Sequence, residues 1–208
     1  ISRFGSEIQK KRWLPSMATG ELRGCFSLSE PDSGSDAAAL RCRAERDGDE
    51  WVINGTKMWV TNGEKAGVVA LLARVPDEDG TQAGGITCFI VEKSPGKRSG
   101  GITVSRKIDK LGYRGLETVE MSYEDHRLGH DQVLGGEDGI GNGLRWALTA
   151  LELGRINVAA RGVGVAQAAY DAALAYAKER EAFGRPISQH QAIAFKLAEM
   201  ATKLEAAR

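Results

Sequence analysis

The sequence predicts an α+β protein: a short helical tail, then a β domain, then the first helices of a bundle. Three observations carry this. Residues 6–18 place apolar side chains at helical spacing. From residue 24 to about 128 the chain breaks into short alternating or apolar runs separated by Gly, Asn, Asp and Pro. After Gly143, a run of 40 residues rich in Ala, Leu and Val continues at helical spacing without a proline.

In order along the chain, "SEIQKKRWLPSMA" reads as the end of an amphipathic helix, with Ser6 as its cap and Pro15 and Gly20 closing it. "LRCRAERDGDEWVINGTKMWV" gives two alternating runs around Asp47-Gly48, a hairpin signal. Asn54-Gly55 and Asn62-Gly63 mark further tight turns. "GVVALLARV" and "ITCFIVE" are apolar throughout and read as buried strands, and "ETVEMSYEDHRL" alternates again. Short strands with frequent turns suit a barrel or a sandwich. "EKSPGKRSGG" (92–101) is a polar loop whose Lys93, Lys97 and Arg98 have the chemistry to meet phosphate; the plainer reading is a solvated hairpin tip. "GGEDGIGNG" (135–143) lacks the Lys-Ser/Thr of a P-loop and the spacing of a dinucleotide fingerprint, so it reads as a helix cap or hinge.

The long helix, about 60 Å at 1.5 Å per residue, carries Gly154, Gly162 and Gly164, each tolerable where another helix packs closely. Gly184 and Pro186 are expected to end it, and a second helix starts near Ser188. Two helices cannot cover both of their apolar faces, which calls for further helices, a partner chain or both. The chain starts at Ile1 and stops inside a helical pattern, as expected of a piece of a longer polypeptide.

Composition narrows the function classes. Lys+Arg and Asp+Glu both number 28 among 208 residues, so no global charge draws the chain to nucleic acid or an anionic membrane. No apolar run approaches the roughly 18 residues of a membrane span, and no secretory signal opens the chain. Cys25, Cys42 and Cys88 have no metal-ligand spacing and read as core or half-buried thiols. His126, His130 and His190 form no cluster, and no metal site is expected.

One stretch stands out. "FSLSEPDSGSD" (26–36) crowds small hydrogen-bonding groups between a helix and a strand-like run. In "KMWVTNG" (57–63), Trp59 and Thr61 fall on one face of a strand, an aromatic plane beside a hydroxyl. Ser27 and Ser29 share a face likewise. If the two segments meet, they would border a flat heteroaromatic ligand; the competing reading is core plus surface. No Ser/His/Asp set or nucleophile elbow is visible.

"FSLSEPDSGSD", "WVINGTKMWVTNG", "DKLGYRG" and "REAFGRPISQHQAIAFKLAEM", in this order and at these separations, resemble the middle and C-terminal parts of an acyl-CoA dehydrogenase, across nearly all of the chain. The resemblance implies the end of an N-terminal helical domain over 1–20, a β-barrel middle domain over 21–135, and over 136–208 the first part of a helical domain that is an incomplete four-helix bundle. It implies FAD as cofactor, an acyl-CoA substrate oxidised to the trans-2-enoyl-CoA, and electron transfer flavoprotein as acceptor. It also implies a homo-oligomer, a tetramer, at work in fatty-acid β-oxidation, in the cytoplasm of a bacterium or the mitochondrial matrix of a eukaryote. Oxidases and flavin monooxygenases of the same fold, and a truncated non-catalytic paralogue, are the alternatives.

By the same resemblance, Phe26, Leu28, Ser29, Gly34 and Ser35 line the flavin, Trp59, Val60 and Thr61 flank its ring, and Ser35 touches the pantetheine arm. Glu152 and Arg155 match positions that meet the CoA portion. Arg180, Phe183 and Gln191 match the segment that reaches the FAD of a neighbouring subunit. Most of the family carries its catalytic base on a later segment, expected beyond residue 208; a minority carries it on the long helix, where this chain has Gly154. No catalytic residue is therefore assigned within the chain, and the piece alone is expected to be inactive. Gly129 stands where the barrel exit often has proline. Glu30 is expected to support its loop.

Overall fold

The computed structural model describes residues 1–76 and 85–208. Helix α1 spans Glu7–Thr19. Ser6 caps it reciprocally: its Oγ accepts from the Gln9 N–H while the Gln9 side chain accepts from the Ser6 N–H. Gly20, at φ 80, terminates it. Pro15 does not. It sits inside the helix, and the carbonyl its missing N–H would have met belongs to Lys11, on an exposed turn where water can serve it.

The β domain consists of β1 (Gly24–Ser27), β2 (Arg43–Asp47), β3 (Glu50–Thr61), β4 (Val68–Arg74), β5 (Ile86–Glu92), β6 (Arg98–Ser99), β7 (Ile102–Val104) and β8 (Thr118–Gly129). Among the described residues they form one curled sheet in the order β1-β4-β2-β3-β8-β7-β6, with β5 also on β4. β2 and β3 form the expected hairpin, Asp47 opposite Glu50, and Gly48 takes φ 62 at its tip. Asn54-Gly55 corrects the sequence reading. It is not a turn but lies within β3 opposite a bulge of β8, where the pairing steps from Ile53–His126 to Gly55–Tyr123 and Asp125 takes φ 46. Asn54 clasps Asp125 on β8 twice, side chain to side chain at 3.0 Å and through the Asp125 N–H at 3.0 Å. Gly55 is required there: a Cβ would stand 2.7 Å from the Cys42 Cα.

The sheet curls over a core of Trp51, Ile53, Val69, Leu71, Phe89, Val91, Val119, Met121 and Tyr123. A second cluster on the other side of β4 and β5 gathers Val68, Leu72, Ile90 and Cys88 against Trp13 of α1 and Leu134. Both faces of β4 and β5 are thus buried, which is why these strands read as unbroken apolar runs. The loop 92–101 is less solvated than expected. Lys93 is buried, and its ammonium donates to the Glu64 and Ala66 carbonyls at 3.3 and 3.0 Å.

The chain divides into two compact units, Ile1–Leu148 and Thr149–Arg208. Helix α2 spans Gly143–Glu179, about 55 Å at 1.5 Å per residue. It ends before the expected Gly184, because β9 (Glu181–Ala182) and β10 (Arg185–Pro186) form a tiny hairpin. Its two linking residues, Phe183 and Gly184, both take positive φ, 53 and 75, a primed turn. Helix α3 (Gln191–Ala207) then returns along α2, and Arg208 donates to Gln167 at 2.7 Å. Leu153, Ile156, Val158, Val165, Tyr176 and Phe195 remain exposed.

Candidate functional site

Two conspicuous motifs of the sequence meet in the first unit. After β1 the chain leaves the sheet, yet Met58 N–H donates to the Ser29 carbonyl at 2.8 Å, so 26–30 lies against β3. Lys57, with no exposed side-chain surface, adds two donors to the same junction. Its Nζ meets the Leu28 carbonyl at 2.9 Å and Glu30 Oε1 at 2.8 Å. The Glu30 carboxylate also accepts the N–H of Arg41 at 2.7 Å and of Cys42 at 2.9 Å. Glu30 supports its loop, as expected, and is not presented for proton transfer. Burying an amine is costly unless it is hydrogen-bonded, and here both partners are in place.

Beyond Glu30 the chain turns sharply. Glu30 and Ser33 exchange backbone bonds at 2.8 and 3.3 Å, and Ser33 Oγ donates to the Asp36 carbonyl at 2.7 Å. This lifts Gly34 and Ser35 onto an exposed crest whose two ends are closed by Glu30.

On β3, a second irregularity falls between Lys57 and Val60. Trp59 takes φ 62, a left-handed conformation rare for a bulky residue. The bulge reverses the alternation. Lys57 points inward, Trp59 is 56% exposed, Val60 is buried in the core and Thr61 is exposed again. Trp59 and Thr61 therefore share an outward side, as expected, whereas the Val60 side chain is core and only its backbone can face a ligand. Thr61 Oγ1 lies 3.4 Å from Thr118 Oγ1, which also accepts from Lys110 Nζ at 2.9 Å. Phe26 is 38% exposed and Ser29 half-buried. Leu28 packs toward the second cluster. Ser27 does not share the outward side with Ser29. It is fully buried and bonds Tyr123 Oη at 3.3 Å, since Ser29 lies past the strand end.

The two joined segments thus leave uncovered aromatic surface on Trp59 and Phe26, together with the hydroxyls of Ser29 and Thr61. That set fits a flat heteroaromatic ring better than a metal or a lone anion. The nearby thiols are not reactive groups: burial pushes Cys25 up to about 12 and Cys42 up to about 11. Burial also raises the Tyr123 phenol, which stays protonated. The residue missed by sequence reading is Lys57. Its strand parity with Trp51 and Ile53, both inward, was the available signal.

In the second unit, Glu152 and Arg155 are exposed on α2, with nothing within 4 Å of a Cβ added at Gly154. Arg180 follows α2, exposed, and Gln191 opens α3, exposed. Phe183 is 95% exposed at the hairpin tip, stacked edge-on to His190 at 5.9 Å. His190 clasps both arms of this hairpin, at the Ala182 carbonyl (3.0 Å) and Arg185 (3.3 Å).

Family models for the acyl-CoA dehydrogenase middle domain and C-terminal domain match residues 25–126 and 141–208. The chain belongs to the acyl-CoA dehydrogenase family. It is 43% identical over 208 residues to the mitochondrial short-chain specific acyl-CoA dehydrogenase of Bos taurus, covering 100% of this chain and 48% of that one. A chain in the solved structure of the electron transferring flavoprotein of Acidaminococcus fermentans superposes with a TM-score of 0.90 at 39% identity, covering 99% of this chain and 52% of that one. A glutaryl-CoA dehydrogenase from Mycobacterium smegmatis, solved in complex with FADH2, gives 0.88 at 36%, covering 100% and 50%. The chain spans about half the length of the curated relatives it matches. None of its described helices is long and apolar enough to cross a membrane.

Proposed function

We propose that the protein to which this chain belongs is an FAD-dependent acyl-CoA dehydrogenase. It removes the α-proton and the β-hydride of an acyl-CoA thioester to give the trans-2-enoyl-CoA, and passes the electrons to electron transfer flavoprotein. The observation that carries this reading is the junction of 26–35 with β3, where Trp59, Phe26, Ser29 and Thr61 are left facing outward. Family membership and the FADH2 held by the mycobacterial relative support it. FAD supplies the hydride acceptor.

The chain's own residues bind and orient. Trp59 and Phe26 would cover the ring, the backbone of Val60 would border it, and the Ser29 and Thr61 hydroxyls would be the donors to it, favouring the negative charge of the reduced cofactor. Leu28 and Gly34 shape the wall, and Ser35, on the exposed crest, takes the pantetheine arm. Glu152 and Arg155 meet the CoA portion. Arg180 pairs with the FAD diphosphate of a neighbouring subunit, its fork and permanent charge suiting that group, with Phe183 and Gln191 beside it. A strained, exposed phenylalanine and the uncovered apolar residues of α2 and α3 support a homotetramer. The base is assigned beyond residue 208, because Glu30 is sequestered and Gly154 has no side chain. The middle domain is taken as 21–135, between an N-terminal helical end (1–20) and the helical domain from 136. The compartment is the cytoplasm for a bacterial protein and the mitochondrial matrix for a eukaryotic one.

The test is an anaerobic titration of the full-length protein with a panel of acyl-CoA thioesters, followed in the visible flavin bands. Bleaching by one or more acyl-CoAs is expected. A folded, colourless protein that takes up no FAD overturns the reading.

A further inference from the structure

We propose that Glu30 is a positioning residue that holds the cofactor wall and the substrate crest in one geometry, with Lys57 as its anchor. The proposal rests on the flavoprotein reading above but assigns a role to two residues that reading leaves out.

Glu30 sits at the neck of an excursion, 30–42, that carries Gly34 and Ser35. Its carboxylate accepts from both residues that end the excursion, Arg41 N–H at 2.7 Å on Oε2 and Cys42 N–H at 2.9 Å on Oε1. Oε1 also accepts from Lys57 Nζ at 2.8 Å. Lys57 in turn holds the Leu28 carbonyl at 2.9 Å, one residue before Ser29 and two before Glu30. One carboxylate therefore joins three segments: the 26–30 wall, the end of the crest at 41–42, and β3 two residues before Trp59. Apart from these contacts, one backbone bond, Met58 N–H to Ser29 O, ties the wall to β3 among the bonds described.

Both side chains are sequestered, 7% exposed for Glu30 and 0% for Lys57, so neither can touch a ligand lying on the outward side of β3. The arrangement exceeds what loop closure needs. Two hydrogen bonds from Arg41 and Cys42 would close the excursion alone. The third, to an inward lysine of the strand that bears Trp59 and Thr61, fixes the distance between crest and strand. A glutamine at position 30 can still accept at one atom, but its amide would place N–H groups against an N–H donor or the ammonium. The geometry points to one neck setting two sites, so that disturbing it shifts flavin and thioester together.

The experiment uses the full-length, FAD-loaded protein. Glu30→Gln and Lys57→Arg are compared with Gln9→Ala, a control of similar burial. Gln9 is 4% exposed and bonds the Asp131, Val133 and Gly135 backbone far along the chain. The readouts are thermal midpoint, the flavin visible spectrum, the FAD dissociation constant, and kcat and KM separately. E30Q is expected to shift the flavin spectrum, weaken FAD binding about tenfold and lower kcat/KM by about ten- to a hundredfold, as for a displacement of about 1 Å. K57R, which keeps the charge but not the compact ammonium, should show each of these changes in smaller measure. Q9A should lower the midpoint and leave spectrum and kinetics unchanged. If E30Q lowers the midpoint as Q9A does while spectrum, FAD affinity and kcat/KM match the wild type, the proposal is wrong. Should E30Q fail to fold, K57R decides alone: wild-type spectrum and kinetics overturn the proposal, and a shift in both upholds it. A wild-type protein that binds no FAD overturns the parent reading and this one with it.

Discussion

Substituting Gly143 by alanine tests the packing that seats α2 on the sheet. Gly143 opens α2, where alanine would ordinarily gain up to about 1 kcal/mol over glycine. A Cβ there would stand 2.4 Å from Cys88 N, 2.5 Å from the Thr87 carbonyl carbon and 2.9 Å from Ile86 O. All three atoms are backbone of β5 or its first residues, buried and hydrogen-bonded to β4, so no rotamer change relieves the overlap. Overpacking of this kind costs about 3 kcal/mol at the upper end of its usual range. The net is a loss of about 2 kcal/mol, and at about 2–4 °C per kcal/mol for a chain of this size the thermal midpoint should fall by roughly 4–8 °C. Gly162→Ala is the counter-case. It is interior to α2, with nothing within 4 Å of the added Cβ, and in this chain should raise the midpoint by about 2–4 °C. Differential scanning calorimetry of both variants reads the two signs. A G143A midpoint at or above the wild type would refute the close approach of α2 to β5.

Three further outcomes follow from particular groups. Burial raises the thiols from 9.0 to about 12 for Cys25 and Cys88 and about 11 for Cys42. Between pH 9 and these values the unfolded chain loses thiol protons that the folded one keeps, so stability should fall as pH rises from 9. Lys93, lowered by burial, opposes this only up to its ordinary 10.5; urea midpoints across pH 8–11 measure the balance. Cys42 and Cys88 should resist a maleimide at pH 8 until denaturant is added, and their rapid labelling in native protein would contradict their burial. Arg180→Ala should weaken FAD retention in the full-length protein, read by flavin loss on gel filtration; unchanged retention removes its assignment to the diphosphate.

The sheet was legible because its physics is local. Alternation in 43–61 and 118–128, and the unbroken apolar runs of β4 and β5, follow directly from which faces are covered. Asn54-Gly55 misled because a dipeptide that marks turns also serves inside a strand opposite a bulge, and only the Asp125 partner on β8 decides between them. The end of α2 misled for a related reason: a primed turn there uses Phe183, a residue type that does not advertise positive φ. The outward side of Trp59 and Thr61 was read correctly from a period of two. The bulge between Lys57 and Val60 was not legible, and although strand parity points Lys57 inward, its partner Glu30 lies 27 positions earlier and no local pattern reports such a pairing.

The central claim is that the outward side of Trp59 and Thr61, walled by 26–35, holds the flavin ring. The most direct measurement is a structure of the full-length protein with FAD bound. The account predicts the isoalloxazine against Trp59, within hydrogen-bond reach of Ser29 or Thr61, with Glu30 and Lys57 paired behind it. A flavin seated elsewhere, with Trp59 still uncovered, would contradict it.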